Sequence, residues 1–427
     1  MKIKSIDAYT IFDSRGNPTV EAEVLLNDGT TGRGVAPSGA STGQYEAHEL
    51  RDGDPNRFAG KSVDQAIDNV QKVIRPALLG KDAEDQEAVD QTMIELDGTP
   101  NKSNLGANAI LSVSTAVLAA AANAWKRPLY QQLGGGDVLP IPEIQIIGGG
   151  AHAEWRVDVQ DFLLIANGAE SYEEALEITF DVFQATGTLL KELGKYYGAA
   201  DEGGYWPEFD SHQQILDILT EGIEKAGYIP GEDAAIALDV AASDLYDAKT
   251  KTYRLHLDNQ TYTTSAFIEL LGDWIEKYPI ISVEDPLADT DLEGWKTLMK
   301  TYGNRLQIIG DDLFTTNPMR IKQGIDEGLA NAVLIKLNQI GTVTETLAAI
   351  RITQEAGWQP VISARSGETE DALISHLAVG TNAGQLKVGS FRRSERMVKW
   401  NEVLRIQRHL GSNARFNPWK ETQTLFP

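Results

Sequence analysis

The chain contains no cysteine, which rules out disulfides and thiolate metal centres and fits a reducing compartment. Positive charge is scarce as well: 38 Lys and Arg stand against 62 Asp and Glu, a formal net charge of −24 at pH 7. A field of that sign repels phosphate backbones and anionic lipid, so neither nucleic acid nor a membrane surface is an expected partner. An anionic substrate must then be held by cations gathered locally. Uninterrupted hydrophobic runs are also missing. The most apolar stretch, Gly106 to Trp125, is alanine-rich and broken by Asn108, Ser112, Ser114 and Thr115, which predicts a buried helix and not a membrane span. The opening residues MKIKSIDAY carry no secretory hydrophobic region, so the cytoplasm is the expected location.

What is present points to two domains. A chain of 427 residues with 42% hydrophobic content exceeds one ordinary core and leaves room for a barrel-sized unit. In the first third, residues 3 to 11 and 18 to 36 alternate as strands do, with a turn at Asn27, Asp28 and Gly29. Val63, Ala66, Ile67, Val70, Val73 and Ile74 then recur at helical spacing, and further helices fit Ala83 to Leu96 and Gly106 to Trp125. The Gly/Pro-rich run Gly134 to Pro142 is a natural boundary, giving an N-terminal α+β domain over 1–138 and a second domain over 139–427.

The second domain has its own rhythm. Six short apolar runs each end in a polar or charged residue: Asp239, Glu284, Asp311, Lys336, Ser363 to Ser366, and Lys387. From Glu284 onward these ends recur about every 25 residues, one strand, loop and helix per step, as in a β/α barrel. Strand ends converge on one face of such a barrel, so three carboxylates and two lysines share a pocket. Three carboxylates form a hard oxygen cage suited to Mg²⁺. A metal and a second ammonium nearby are expected to lower a lysine's pKa from its ordinary value of about 10.4, giving an amine able to act as base.

These residues lie in stretches that resemble the enolase family over nearly the whole chain. The matching segments are DSRGNPTVE (Asp13 to Glu21), PSGASTG (Pro37 to Gly43), DEGG (Asp201 to Gly204), ALDVAAS (Ala237 to Ser243), EDP (Glu284 to Pro286) and GDDLFTTNP (Gly310 to Pro318). LIKLNQIGTVTET (Leu334 to Thr346), SARSGETED (Ser363 to Asp371), and GQLKVGS with RSER (Arg393 to Arg396) complete the series in family order. The resemblance implies an enolase-type β/α barrel at the C-terminus, capped by the smaller N-terminal α+β domain. It implies a lyase that interconverts 2-phosphoglycerate and phosphoenolpyruvate with two Mg²⁺ ions per site.

By the same resemblance Asp239, Glu284 and Asp311 are metal ligands, with Asp312 beside them and Ser41 of the lid loop completing a second metal site. Lys336 is the base that removes the alpha proton, Lys387 binds the carboxylate, and Arg365 and Ser366 bind phosphate. Glu202 is the acid for the departing hydroxyl, with a raised pKa expected, assisted by Asp161 and by His152 of the substrate-binding loop. The resemblance also implies at least a homodimer, through the region of Arg15 and Glu21.

Several positions depart from the family pattern. Ala364 stands where the family has His, Asp161 where it has Glu, and Gly148 where it has Asn, while Trp155, Arg156 and Trp206 replace small residues. One reading is drift in a working enolase. Another is a pocket whose space, opened by the lost imidazole, is refilled by an indole or guanidinium. That reading predicts a related phosphorylated or phosphonylated acid as substrate, as in carboxyphosphonoenolpyruvate synthases. A non-catalytic binding protein on this fold is a third, disfavoured by the intact Lys336 and carboxylates.

Overall fold

The computed structural model describes residues 1–40, 42–417 and 419. Alternation in the first third builds a three-stranded antiparallel meander, β1 (Ile3–Phe12), β2 (Pro18–Leu26) and β3 (Thr31–Val35). Val20, Ala22, Val24 and Leu26 of β2 all point inward and are fully buried. The helix Ala107–Ala124 covers that face. It is long and apolar enough to span a bilayer, yet 83% of it is buried inside the fold, as expected of a core helix. Gly32 and Gly34 of β3 allow the contact, because a Cβ at either would lie 2.1 Å from Ala120 N or Thr115 Oγ1.

The helix expected from Val63 to Ile74 bends through one wide turn at Val70–Ile74, between α-helical pieces Asp64–Asn69 and Arg75–Leu78. Its buried residues are Ala66, Val70, Ile74 and Leu78, while Val73 faces solvent. The next helix, Gln86–Asp97, starts where the Asp85 carboxylate accepts from the N–H of Ala88.

All six apolar runs are barrel strands: β6 (Ala235–Asp239), β7 (Ile280–Glu284), β8 (Gln307–Gly310), β9 (Ala332–Ile335), β10 (Gln359–Ser363) and β11 (Gln385–Ser390). Two strands outside that rhythm, β4 (Ile141–Gly148) and β5 (Asp161–Ile165), close the barrel in the order β7-β8-β9-β10-β11-β4-β5-β6. Strand β5 runs antiparallel to both neighbours. An antiparallel partner can return through a short loop, so no crossover helix separates β4 from β5. Its first residue, Asp161, consequently pairs with Asp239, the last residue of β6, at the mouth of the barrel.

Polar contacts seat the N-terminal domain on the barrel. Asp90 accepts from the backbone N–H and hydroxyl of Thr344, at 2.9 and 2.6 Å, and Lys102 pairs with Glu345 at 2.9 Å.

Candidate active site

Strand ends bring most of the expected residues to one cleft. Its lining includes His152, Gln160, Asp161, Glu202, Asp239, Lys336, Ala364, Arg365, Ser366 and Lys387, together with Gly39 and Ala40 of the loop after β3. Lys387 sits at the centre, 2.8 Å from Asp239 Oδ2, 2.7 Å from Glu284 Oε2 and 3.8 Å from Asp161 Oδ2. Lys336 is 2.5 Å from Asp311 Oδ2, and Asp311 Oδ1 accepts from Gln339 Nε2 at 2.7 Å. The three expected metal ligands thus meet in two groups, Asp239 with Glu284 around one ammonium and Asp311 beside the other. Ser41 lies outside the described residues.

Local backbone explains this placement. Asp285 adopts a left-handed φ of 39°, a strained conformation for a non-glycine residue. Its carboxylate accepts the N–H groups of Asp311 and Asp312 at 2.9 and 2.7 Å, which fixes the loop after β8 while Glu284 faces the cleft. Thr316 accepts from Lys336 N at 2.9 Å and donates to Gln339 Oε1 at 2.7 Å, tying the loop after β8 to Lys336.

The donor set fits a hard divalent cation. Asp239, Glu284 and Asp311 offer only carboxylate oxygen, and Glu284 Oε1 is buried without a hydrogen-bond partner among the described residues. Burial, and then repulsion from Asp239, hold the Glu284 carboxyl well above the usual carboxylate range. Removing a carboxyl from water while crowding it with like charge is relieved by a bound cation. Acidic oxygens also converge in Asp285, Asp311 and Asp312, another group able to hold a metal ion. The Asp312 carboxyl is pushed up to about 8 by burial and by Asp311.

The charge balance at the two proton-handling groups differs, and the expectation for Glu202 is corrected. Among its protein neighbours Lys336 is raised: burial opposes its charge, yet Asp311 and Glu284 together outweigh that and the repulsion from Arg365 and Lys387. Glu202 is lowered, not raised. Burial favours its neutral form, but His152, Arg396, Lys387 and Lys336 together favour the carboxylate. Protons at that end belong to its neighbours. Burial raises the Asp161 carboxyl. His152 is raised despite its burial because Glu202 and Asp161 surround it, each with an oxygen 3.8 Å from Nδ1.

At the opposite end, Arg365 is buried and its guanidinium donates to Glu46 Oε2 and Asn338 Oδ1, both at 2.9 Å, with a second contact to Glu46 Oε1 at 3.2 Å. Glu46 belongs to the loop after β3, which also lays the Tyr45 ring against Arg320 at 3.6 Å. The Ser366 hydroxyl accepts from Arg15 at 3.4 Å. Arg396 of the RSER segment holds the backbone carbonyls of Arg365 and Ser366 at 2.6 and 2.5 Å.

The departures do not refill the cleft. Arg156 lies 3.8 Å over the ring of Trp206, whose Nε1 donates to Ala153 O at 2.6 Å, and neither side chain lines the pocket. The indole and guanidinium satisfy each other outside it. Gly148 is dictated by packing, since a Cβ there would lie 2.5 Å from that of Ala200.

Sequence reading passed over Gln339 as a partner of Asp311, Gln160 as a donor to Asp239 at 2.9 Å, and Glu46 as a partner of Arg365. Gln339 follows Lys336 by three positions, the helical spacing that places both on one side, and was legible on that ground. Glu46 gave no such signal, because its partner lies on the other domain.

Comparison with known proteins agrees with this geometry. The family model described as Enolase, N-terminal domain, matches residues 3–133, and that described as Enolase, C-terminal TIM barrel domain, matches residues 136–425. Enolase 1 of Desulfitobacterium hafniense (strain Y51) is 54% identical over 418 residues, covering 97% of this chain and 95% of that protein. With both halves matched and the strand-end carboxylates and lysines gathered at one cleft, the chain belongs to the enolase family.

Proposed function

We propose that the chain interconverts 2-phosphoglycerate and phosphoenolpyruvate by removing the proton alpha to the carboxylate and expelling the β-hydroxyl as water. The observation that carries this reading is one cleft lined by Lys336 and Glu202 together with Lys387 and Arg365. A base, an acid-end carboxylate and two anion-binding cations match the four tasks of a phosphorylated hydroxy acid. The related-acid alternative has no observation in its favour, since the side chains that would reshape the pocket stack outside it.

Asp239, Glu284 and Asp311 would hold the first of two Mg²⁺ ions. When bound, Mg²⁺ supplies positive charge to a substrate carboxylate that gains a second negative charge as the alpha proton leaves. Were Asp311 and Glu284 engaged by a cation, the repulsion Lys336 meets from Arg365 and Lys387 would no longer be offset by those carboxylates, which would favour its neutral amine. Lys336 Nζ then takes the alpha proton. Lys387, released from Asp239 and Glu284, binds the substrate carboxylate. Arg365 and Ser366 hold the phosphate, the guanidinium exchanging the Glu46 carboxylate for it. His152 Nδ1 keeps a proton between Asp161 and Glu202, and Glu202 passes it to the departing hydroxyl.

Phosphoenolpyruvate formation from 2-phosphoglycerate with Mg²⁺ tests the reading. Turnover of about 10 to 10³ per second is expected, in the ordinary range for enzymes. Metal-loaded, folded protein that forms no phosphoenolpyruvate sinks it.

A homodimer is our reading of the assembly, and the cytoplasm our reading of the location. Tyr9, Phe12 and Phe58 are exposed on the N-terminal domain, Phe12 and Phe58 in edge contact with each other, and the barrel exposes Leu193, Tyr196 and Tyr197. Exposed aromatic clusters of this kind suit burial against a second copy. Sedimentation equilibrium should give twice the 46.6 kDa chain mass, and a single species at the chain mass counts against the dimer.

A further inference from the structure

Glu143 is a buried carboxylate for which the proposed reaction has no task. It projects from β4 inside the barrel, has no solvent exposure and does not line the cleft. In the parallel register of β4 with β11 it stands directly opposite Lys387. Its Oε2 ends a chain of buried hydrogen bonds, in which Gln385 Nε2 also donates back to Gln307 Oε1 at 3.2 Å. Ser282 donates to Gln307 Oε1, Gln307 Nε2 to Gln385 Oε1, and Gln385 Nε2 to Glu143, each at 2.8 Å. Oε1 is buried without a hydrogen-bond partner among the described residues. A group needed only to terminate that chain requires one acceptor. A carboxyl with a second, orphaned oxygen is a costly way to supply it.

The charged groups facing Glu143 are Lys387 from β11, Asp239 from β6 and Asp161 from β5. We propose that Glu143 is a positioning residue that, acting through Lys387, sets how tightly the cleft holds the carboxylate of its substrate. This deepens the enolase reading and rests on it. With Glu143 neutral, the ammonium of Lys387 is turned wholly to the cleft. With Glu143 ionised, a second buried carboxylate shares that ammonium from behind and repels the incoming anion. Burial pushes the carboxyl up to about 7 against the pull of Lys387 and Gln385, so both forms are populated near neutrality.

The sign follows from charge. Raising the pH through the titration of Glu143 adds one negative charge near the substrate carboxylate, so KM climbs on the alkaline side and kcat changes less. Glu143→Gln keeps the acceptor for Gln385 and cannot ionise. Its KM for 2-phosphoglycerate should equal that of the wild type near pH 6 and lie about three- to tenfold lower near pH 8.5, as removal of one buried like charge implies. Glu143→Met, which removes charge and acceptor together, should lose the alkaline rise as well. A role confined to packing predicts the opposite pattern: Glu143→Met is less stable, and the KM profile of Glu143→Gln superimposes on that of the wild type.

Infrared difference spectra of the Mg²⁺-loaded wild type give a readout without substrate. The carbonyl band of a protonated buried carboxyl should disappear as the pH is raised over the same interval and be missing from Glu143→Gln. A wild type that forms no phosphoenolpyruvate refutes the enolase reading, while the infrared band still reports whether Glu143 carries the proton. A wild type that turns over, with parallel or superimposed KM profiles or no titrating band, overturns the inference about Glu143.

Discussion

Lys336→Ala is expected to abolish exchange of the alpha proton of 2-phosphoglycerate with solvent, whereas Glu202→Gln leaves exchange largely intact and blocks water loss. Lys336 is the lysine held by a single carboxylate, Asp311 at 2.5 Å, while Lys387 is fastened by Asp239 and Glu284 together. Freeing Lys336 as a neutral amine therefore requires neutralising one partner only. Its removal leaves no other amine at that position, and a loss of about 10²- to 10⁴-fold is the least to expect when a positioned base disappears. Glu202 stands at the other end, 3.8 Å from His152, where we propose that it serves the leaving oxygen. Incorporation of solvent deuterium, followed by mass spectrometry, separates the two steps. Equal loss of exchange in both variants would contradict the division of labour.

Chelation of divalent ions should eliminate turnover, and added Mg²⁺ should restore it. Asp239, Glu284 and Asp311 are all buried, and burial and Asp239 hold the Glu284 carboxyl well above the usual carboxylate range. Such a cluster binds a cation because the cation relieves repulsion that the two lysines only partly cancel. A readout independent of activity is thermal stability. Mg²⁺ at a hundredfold excess over its Kd stabilises the folded chain by about 2.7 kcal/mol, whereas a monovalent ion at equal ionic strength should not. Undiminished turnover in chelator-treated protein, or a melting temperature indifferent to Mg²⁺, would remove the carboxylates from the metal-binding role.

The strand ends were legible because a parallel barrel strand is a short apolar run and its functional residue sits at its end; Asp239 and Glu284 are the last residues of β6 and β7. Strands β4 and β5 escaped because an antiparallel return needs no helix and so breaks the spacing. The charge states of Glu202 and Lys336 were not legible. The direction for Glu202 depends on Arg396, Lys387 and Lys336, all more than a hundred positions away, and that for Lys336 on the approach of Asp311 across two strands. Arg156 and Trp206 left two readings open, drift and a refilled pocket, because a guanidinium stacked on an indole outside the cleft leaves no mark in the sequence.

The reversed strand β5 has a further consequence for how such a site can be rebuilt. Because β5 begins at the barrel mouth, His152, Gln160 and Asp161 all belong to one hairpin between Gly148 and Phe162, continuous in the chain. The carboxylates expected to hold cations, Asp239, Glu284 and Asp311, are instead scattered over the ends of three barrel strands. That hairpin is therefore exchangeable as a single stretch of sequence, with Glu202 reaching the same end from a separate loop, whereas the clustered carboxylates can be altered only one wall position at a time.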